Sequence, residues 1–74
     1  MTHQVNVVLE KDKEGYYAHC PQLPGCQSQG ATFEEAMQHI REAAELYLGT
    51  MSAEEIRAVF SKEIITATLE VSLN

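Results

Sequence analysis

One segment of this chain constrains its fold more than any other, a run of apolar side chains that recurs every three or four residues. The run begins within Thr32-Phe33-Glu34-Glu35, a capping-box pattern, and stops at Gly49. The stripe contains Phe33, Ala36, Met37, Ile40, Ala43, Ala44, Tyr47 and Leu48. This spacing predicts an amphipathic helix, and a helix with one apolar stripe needs a second layer to cover it.

Strand patterns before this helix supply the second layer. Residues 4–11 alternate, with Val5, Val7 and Leu9 on one face, and the sequence YYAHC resumes a strand after a polar turn. The two segments predict a β-hairpin with a loop of about five residues. Residues 26–30 can form a short third strand after the proline-rich stretch PQLPG.

The segment after the helix predicts one more helix and one more strand. Ser52-Ala53-Glu54-Glu55 repeats the capping box and starts a short helix. Residues 64–74 then alternate strictly, which is typical of a strand with one buried face. The predicted fold is a single α+β domain over residues 1–74, in the order β-β-β-α-(α)-β. About four strands form a mixed sheet on one long helix, and the last strand lies parallel to the first through a right-handed crossover.

Charge and size limit the functions that the chain can have. Eleven acidic and five basic residues give a net charge of −6, and the five bases are scattered. A nucleic-acid interface needs clustered Lys and Arg, so we expect no direct nucleic-acid binding. The acidity favours a cationic protein partner, or simply keeps a small protein dissolved. A domain of 74 residues has a marginal core, for which oligomerisation is the expected support.

The start of the chain lacks the pattern of a secretory signal, and no apolar run is long enough to span a bilayer. We therefore expect a cytoplasmic protein without a membrane anchor. In that compartment Cys20 and Cys26 are expected as core thiols and not as a disulfide. With His19 they form an incomplete zinc ligand set, so neither a metal nor another cofactor is predicted.

Catalytic groups are equally sparse. A two-metal nuclease needs several converging carboxylates, whereas the first predicted strand has none in its core and Glu10 and Asp12 lie at or beyond its end. No histidine stands in a recognisable nucleophile context. The sequence therefore predicts a protein that is not an enzyme.

Several short motifs together resemble the HicB family of antitoxins. They are Tyr17-Ala18, Cys20-Pro21-Gln22-Leu23-Pro24-Gly25-Cys26, Ser28-Gln29-Gly30-Ala31-Thr32 and Glu34-Glu35-Ala36. The resemblance covers nearly the whole chain. It implies a partial RNase H-like fold that binds and neutralises a small, basic, mRNA-cleaving toxin of the HicA type. The sequence departs from the family pattern at Ala31, where the family usually has an acid. Many relatives also append a helix-turn-helix or ribbon-helix-helix domain that binds operator DNA, and we do not expect such a domain here.

We divide the singled-out residues into two sets. The expected partner-binding residues are Asp12, Glu14 and Tyr16 around the hairpin and Glu42 and Glu45 along the helix. The motif residues with expected structural roles are Pro24, Gly25, Cys26, Gly30, Thr32, Glu35 and Ala36. Pro24-Gly25 suits a type II turn. Two alternatives stay open: a stand-alone homo-oligomeric module without a toxin, and a metal-dependent RNase H-like nuclease.

Overall fold

The computed structural model describes residues 3–74 of the chain. Within them the order of elements is β-β-β-α-α. The elements are β1 (Val8–Asp12), β2 (Gly15–His19), β3 (Gln27–Gly30), α1 (Phe33–Gly49) and α2 (Ala53–Val59).

The three strands form an antiparallel sheet in the order β1-β2-β3. The β1–β2 register pairs Asp12 with Gly15, so the turn between them contains only two residues and is tighter than the five-residue loop expected from the sequence. Gly15 has a φ of 136°, which side chains rarely tolerate, and a Cβ there would lie 2.8 Å from the carbonyl oxygen of Gly30. Glycine at this position therefore permits the tight turn.

Helix α1 packs on one face of this sheet, as the apolar stripe predicted. The buried core consists of Ala18, Cys20, Leu23, Cys26, Ala36, Ile40 and Ala44. Val5, Val7 and Leu9 pack against it from the first strand segment, although residues 3–7 are not in a strand. The sequence therefore predicted the buried face of this segment correctly and overestimated the length of the strand.

The cap at the start of α1 forms with one change from the predicted box. The Thr32 hydroxyl accepts a hydrogen bond from the Glu35 backbone N–H at 3.1 Å. The Glu35 carboxylate, however, accepts from the N–H of Ala31, at 2.8 Å. At the other end Gly49 is the last helical residue and does not adopt a positive φ. The helix stops instead at Thr50, whose N–H and hydroxyl both bond to the Tyr47 carbonyl.

The predicted fourth strand is wrong for this structure. Residues 64–74 belong to no strand, and every residue from Ile65 to Asn74 is exposed. The sheet is consequently three-stranded and antiparallel within the described residues, where the sequence predicted about four strands, mixed, on one long helix. Alternation identifies a segment that suits a sheet. It does not determine whether the chain brings that segment to a free edge of its own sheet.

Helix α2 lies between α1 and this C-terminal segment. Its cap is a complete capping box, in which Ser52 and Glu55 exchange side chain–backbone hydrogen bonds. The ring of Phe60, just after α2, stacks on the ring of His3 with centroids 4.8 Å apart. None of the helices in residues 3–74 has the length and apolar character required to cross a bilayer.

Candidate functional site

The PQLPG stretch folds into a tight turn, with Gln22 and Leu23 buried and Pro24 and Gly25 exposed. The Cys26 N–H donates to the Leu23 carbonyl at 2.9 Å, and Gly25 has a φ of 84°. These are the features of a type II turn, as the sequence predicted. Leu23 is fully buried beneath it, and the Tyr47 hydroxyl of α1 donates to the Pro24 carbonyl at 2.9 Å. The turn is thereby fixed to the helix.

The two cysteines flank this turn and belong to the core. Both are buried and do not form a disulfide, and the Cys20 N–H donates to the Cys26 carbonyl at 3.1 Å. Burial, with a smaller contribution from Cys26, raises the pKa of the Cys20 thiol to about 11. A thiol with this pKa keeps its proton at neutral pH, which disfavours it as a nucleophile or a metal ligand.

The most chemically varied concave surface lies beside the tip of the hairpin. We call it the hairpin groove, a shallow depression of about 760 Å³. Its walls include Asp12, Glu14, Tyr16, Tyr17, Gln29 and His39. The structure therefore brings together three of the five predicted partner-binding residues, Asp12, Glu14 and Tyr16.

The hairpin tip is held in shape by the first of these acids. One carboxylate oxygen of Asp12 accepts a hydrogen bond from the Glu14 backbone N–H at 2.8 Å. Both side chains are exposed. Lys11 and Lys13 alternate with them along the chain, so the tip carries both signs of charge. The tip can therefore form specific ion pairs with a partner, but it is not a uniformly negative surface.

The two adjacent tyrosines point to opposite faces, as alternation along a strand requires. Tyr16 is half-buried: its ring meets Phe33 edge-on at 6.3 Å, and the Lys11 ammonium lies 5.6 Å from its centroid. Tyr17 is exposed, and its hydroxyl donates to the Gln27 side-chain oxygen at 2.5 Å. The sequence favoured Tyr16 as the partner contact, whereas the more accessible ring is that of Tyr17.

His39 links the groove to the exposed side of α1. Its Nδ1 lies 2.8 Å from the carbonyl oxygen of Gln29 in β3. Residues three positions apart are neighbours on a helix, so Glu42 follows His39 by about one turn and Glu45 follows Glu42. Both glutamates are exposed and lie outside the groove itself. We call Glu42 and Glu45 the helix acids.

The helix acids make this side of the molecule predominantly negative. Helix α1 contains four glutamates and a single basic residue, Arg41. Glu34 and Glu35 lie in its first turn, where their charge complements the helix dipole. The helix acids have no such local role, which leaves their charge available to a partner.

The other chemical possibilities were metal binding and nuclease chemistry. Nowhere in residues 3–74 do three or more His, Cys, Asp or Glu side chains come together as a potential metal site. Glu10 lies in the middle of β1 and Asp12 is its last residue, so the sequence placed the end of this strand too early; both side chains are exposed. The described part of the chain therefore places no carboxylate cluster where two metal ions would bind.

Comparison with known proteins identifies relatives, two of which match more than nine-tenths of this chain. A sequence model described as the HicB-like antitoxin of bacterial toxin–antitoxin systems matches residues 5–71. A UPF0150 protein of Helicobacter pylori is 46% identical over 92% of this chain and 94% of its own length. A UPF0150 protein of Synechocystis is also 46% identical, over 93% of this chain and 87% of its own length. A UPF0150 protein of Archaeoglobus fulgidus is 49% identical over 57% of this chain.

Proposed function

Because the chain belongs to the HicB-like antitoxin family, we propose that it binds and neutralises a small, basic, RNA-cleaving toxin of the HicA type. It acts by covering the toxin's active surface and carries out no reaction of its own. Family membership is the observation that carries this proposal. The family's antitoxin role implies a toxin partner, and the acidic surface described above suits a cationic one.

The contact surface that we propose consists of the hairpin groove and the helix acids. Asp12, Glu14 and Tyr16 line the groove, and Tyr17, the more exposed tyrosine, lines it as well. Glu42 and Glu45 add exposed negative charge along α1. A ribonuclease must bind phosphates with basic side chains, so carboxylates that pair with those same side chains compete directly with RNA. Complementary charge also accelerates the encounter of the two proteins.

We propose in addition that the protein works as a homo-oligomer in the cytoplasm. A stand-alone assembly module without a toxin is the second candidate function. The exposed apolar side chains of residues 65–74 favour it, because they suit self-association whether or not a toxin exists.

Co-expression distinguishes these candidates. Any small basic open reading frame found next to the gene is expressed alone and together with this chain. We expect growth arrest by the first, rescue by the second, and co-purification of the two proteins. A double variant, Glu42→Lys with Glu45→Lys, should reduce rescue, whereas Glu63→Lys, a single exposed charge reversal outside this surface, should not. A neighbour that is harmless, or rescue without any complex, contradicts the proposal.

A further inference from the structure

The C-terminal arm, residues 64–74, contains most of the large apolar side chains that are exposed in the structure. Ile65, Leu69, Val71 and Leu73 are between 68% and 92% exposed. They share one side of an extended segment with Ala67, while Thr66, Thr68, Glu70 and Ser72 occupy the other. A long exposed strand with one apolar side is an aggregation hazard unless another surface covers it.

The shape of the molecule indicates that the arm does not fold back onto its own domain. The radius of gyration is 14.5 Å, and the longest dimension is 48 Å. A compact chain of this length has a radius of gyration of about 11 Å. The arm begins near Phe60, which stacks on His3, so it is attached beside the segment that leads into β1. It nevertheless makes no strand pairing there.

The outer edge of β1 could pair with an additional strand. Because the strand order is β1-β2-β3, the outer edge of β1 has no strand neighbour among the described residues. On the core side, Leu9 of β1 is only half-buried, as are Val5 and Val7 of the segment that precedes the strand. The opposite edge, β3, is shorter, and its Gln29 carbonyl already receives His39 of α1. Of the two edges, β1 is thus the one that can accept a long strand with one apolar side.

We propose that two copies of this chain exchange their C-terminal arms, each arm adding a fourth strand to the β1 edge of the other copy. The apolar side of the arm then continues the core face of the sheet beside Val5, Val7 and Leu9. The threonines and Glu70 remain in solvent. Reciprocal exchange uses the same two surfaces on both copies and closes as a symmetric dimer.

Charge and size both favour a second copy over a cationic partner. The arm contains a single charged side chain, Glu70, so it offers little to a basic toxin. Each copy would contribute ten exposed arm residues and the eight residues 5–12 that receive the other arm. This number approaches the roughly 20 residues per side at the lower end of stable interfaces. The inference rests on the homo-oligomer part of the proposed function and not on toxin binding.

Solution mass of the purified full chain, without any partner, tests the exchange. We expect twice the 8.3 kDa chain mass by light scattering during size exclusion. Leu69→Asp places a charge on the apolar side and should raise the dimer Kd by about 100-fold or more. The matched control, Thr68→Asp, places the same charge on the wet side and should change the Kd by less than about three-fold. Neither change touches the three-stranded core, so the helical circular dichroism should be preserved.

A mixed sample then identifies the edge that is used. One copy is isotopically labelled, the other is not, and filtered NMR spectra report only contacts between copies. We expect contacts from the Leu69 methyl groups to Val7. Three results would each overturn the proposed exchange. They are a wild-type protein that stays monomeric at millimolar concentration, an unchanged Kd for Leu69→Asp, and Leu69–Val7 contacts confined to one chain. A dimer that forms normally while toxin rescue fails refutes only the toxin-binding part of the proposed function.

Discussion

Asn6 and Gln22 form a reciprocal pair across the edge of the core. The Asn6 backbone N–H donates to the Gln22 side-chain oxygen at 2.9 Å, and the Gln22 amide donates to the Asn6 side-chain oxygen at the same distance. Gln22 is only 6% exposed. The pair joins the segment before β1 to the PQLPG turn, 16 residues further along the chain. It therefore holds Val5 and Val7 against the core where no strand pairing does so.

Removing the buried member of this pair should cost more than removing the exposed one. Gln22→Ala abolishes both hydrogen bonds and should lower the free energy of unfolding by about 2 kcal/mol. Asn6→Ala abolishes one and should cost about 1 kcal/mol. Urea unfolding of both variants and of the double variant gives the coupling energy between them. Gln4→Ala, at an exposed glutamine nearby, is the control and should be neutral. Equal costs for Gln22→Ala and Gln4→Ala would contradict this role.

Two glycines give a matched pair of opposite predictions. A Cβ at Gly30 would lie 2.6 Å from the Ala36 nitrogen and 2.8 Å from the Glu35 Cβ, so the start of α1 would have to move. Gly30→Ala should therefore destabilise the fold by about 2–3 kcal/mol. A Cβ at Gly49 meets nothing within 4 Å, and this residue is helical without a positive φ.

Gly49→Ala should accordingly stabilise the protein, by up to about 1 kcal/mol, because alanine has the higher helix propensity. Thermal unfolding of the two variants checks both signs. If Gly30→Ala is tolerated, the strand and helix do not approach as closely as described here. If Gly49→Ala destabilises the protein, the end of α1 has a different backbone conformation.

Helix α1 was predictable because its information is local. Thr32 lies next to the apolar stripe that it introduces, and the bonds that form the cap span three residues. The turn at Pro24-Gly25 was predictable for the same reason, since the two residue types restrict the backbone directly. The Glu35 carboxylate accepts from the N–H of Ala31 and not from that of Thr32, but these two residues are adjacent, so this difference is local as well.

The features that the sequence did not predict depend on distant partners. Gln22 is a polar residue between two prolines, and only the position of Asn6 explains its burial. His39 lies off the apolar stripe, and its contact with Gln29 follows from the way α1 packs on β3. The alternation of residues 64–74 predicted a fourth strand that the structure does not contain. Whether such a segment reaches a sheet edge depends on the path after α2, and no local pattern encodes that path.

The buried Cys20 thiol should make the free energy of unfolding decrease at alkaline pH. Burial raises the pKa of this thiol from 9.0 to about 11. Below pH 9 the thiol is protonated in both the folded and the unfolded chain. Between pH 9 and 11 the unfolded chain loses the proton and the folded chain keeps it, so stability should fall as the pH rises through this window.

The matched comparison is with Cys20→Ala, which lacks this titration but keeps every tyrosine. We expect the Tm of the wild type to decrease more steeply than that of the variant between pH 9 and 11. From pH 6 to 8 the difference between the two Tm values should stay constant. Parallel curves over the whole range would mean that the Cys20 thiol ionises equally well in both states.

The helix acids provide the most direct test of the proposed contact surface. Glu42 and Glu45 are exposed, have no role in capping α1, and lie on the side that leads away from His39. Glu42→Lys and Glu45→Lys should each weaken binding to the toxin identified by co-expression by about three- to ten-fold at low salt. The effect should shrink at high salt, because these charges are screened. Titration calorimetry at two salt concentrations measures both quantities, with Glu63→Lys as the control of equal charge. An equal loss of affinity in all three variants would indicate that only the net charge matters. If neither helix-acid variant loses affinity, the contact surface lies on another face.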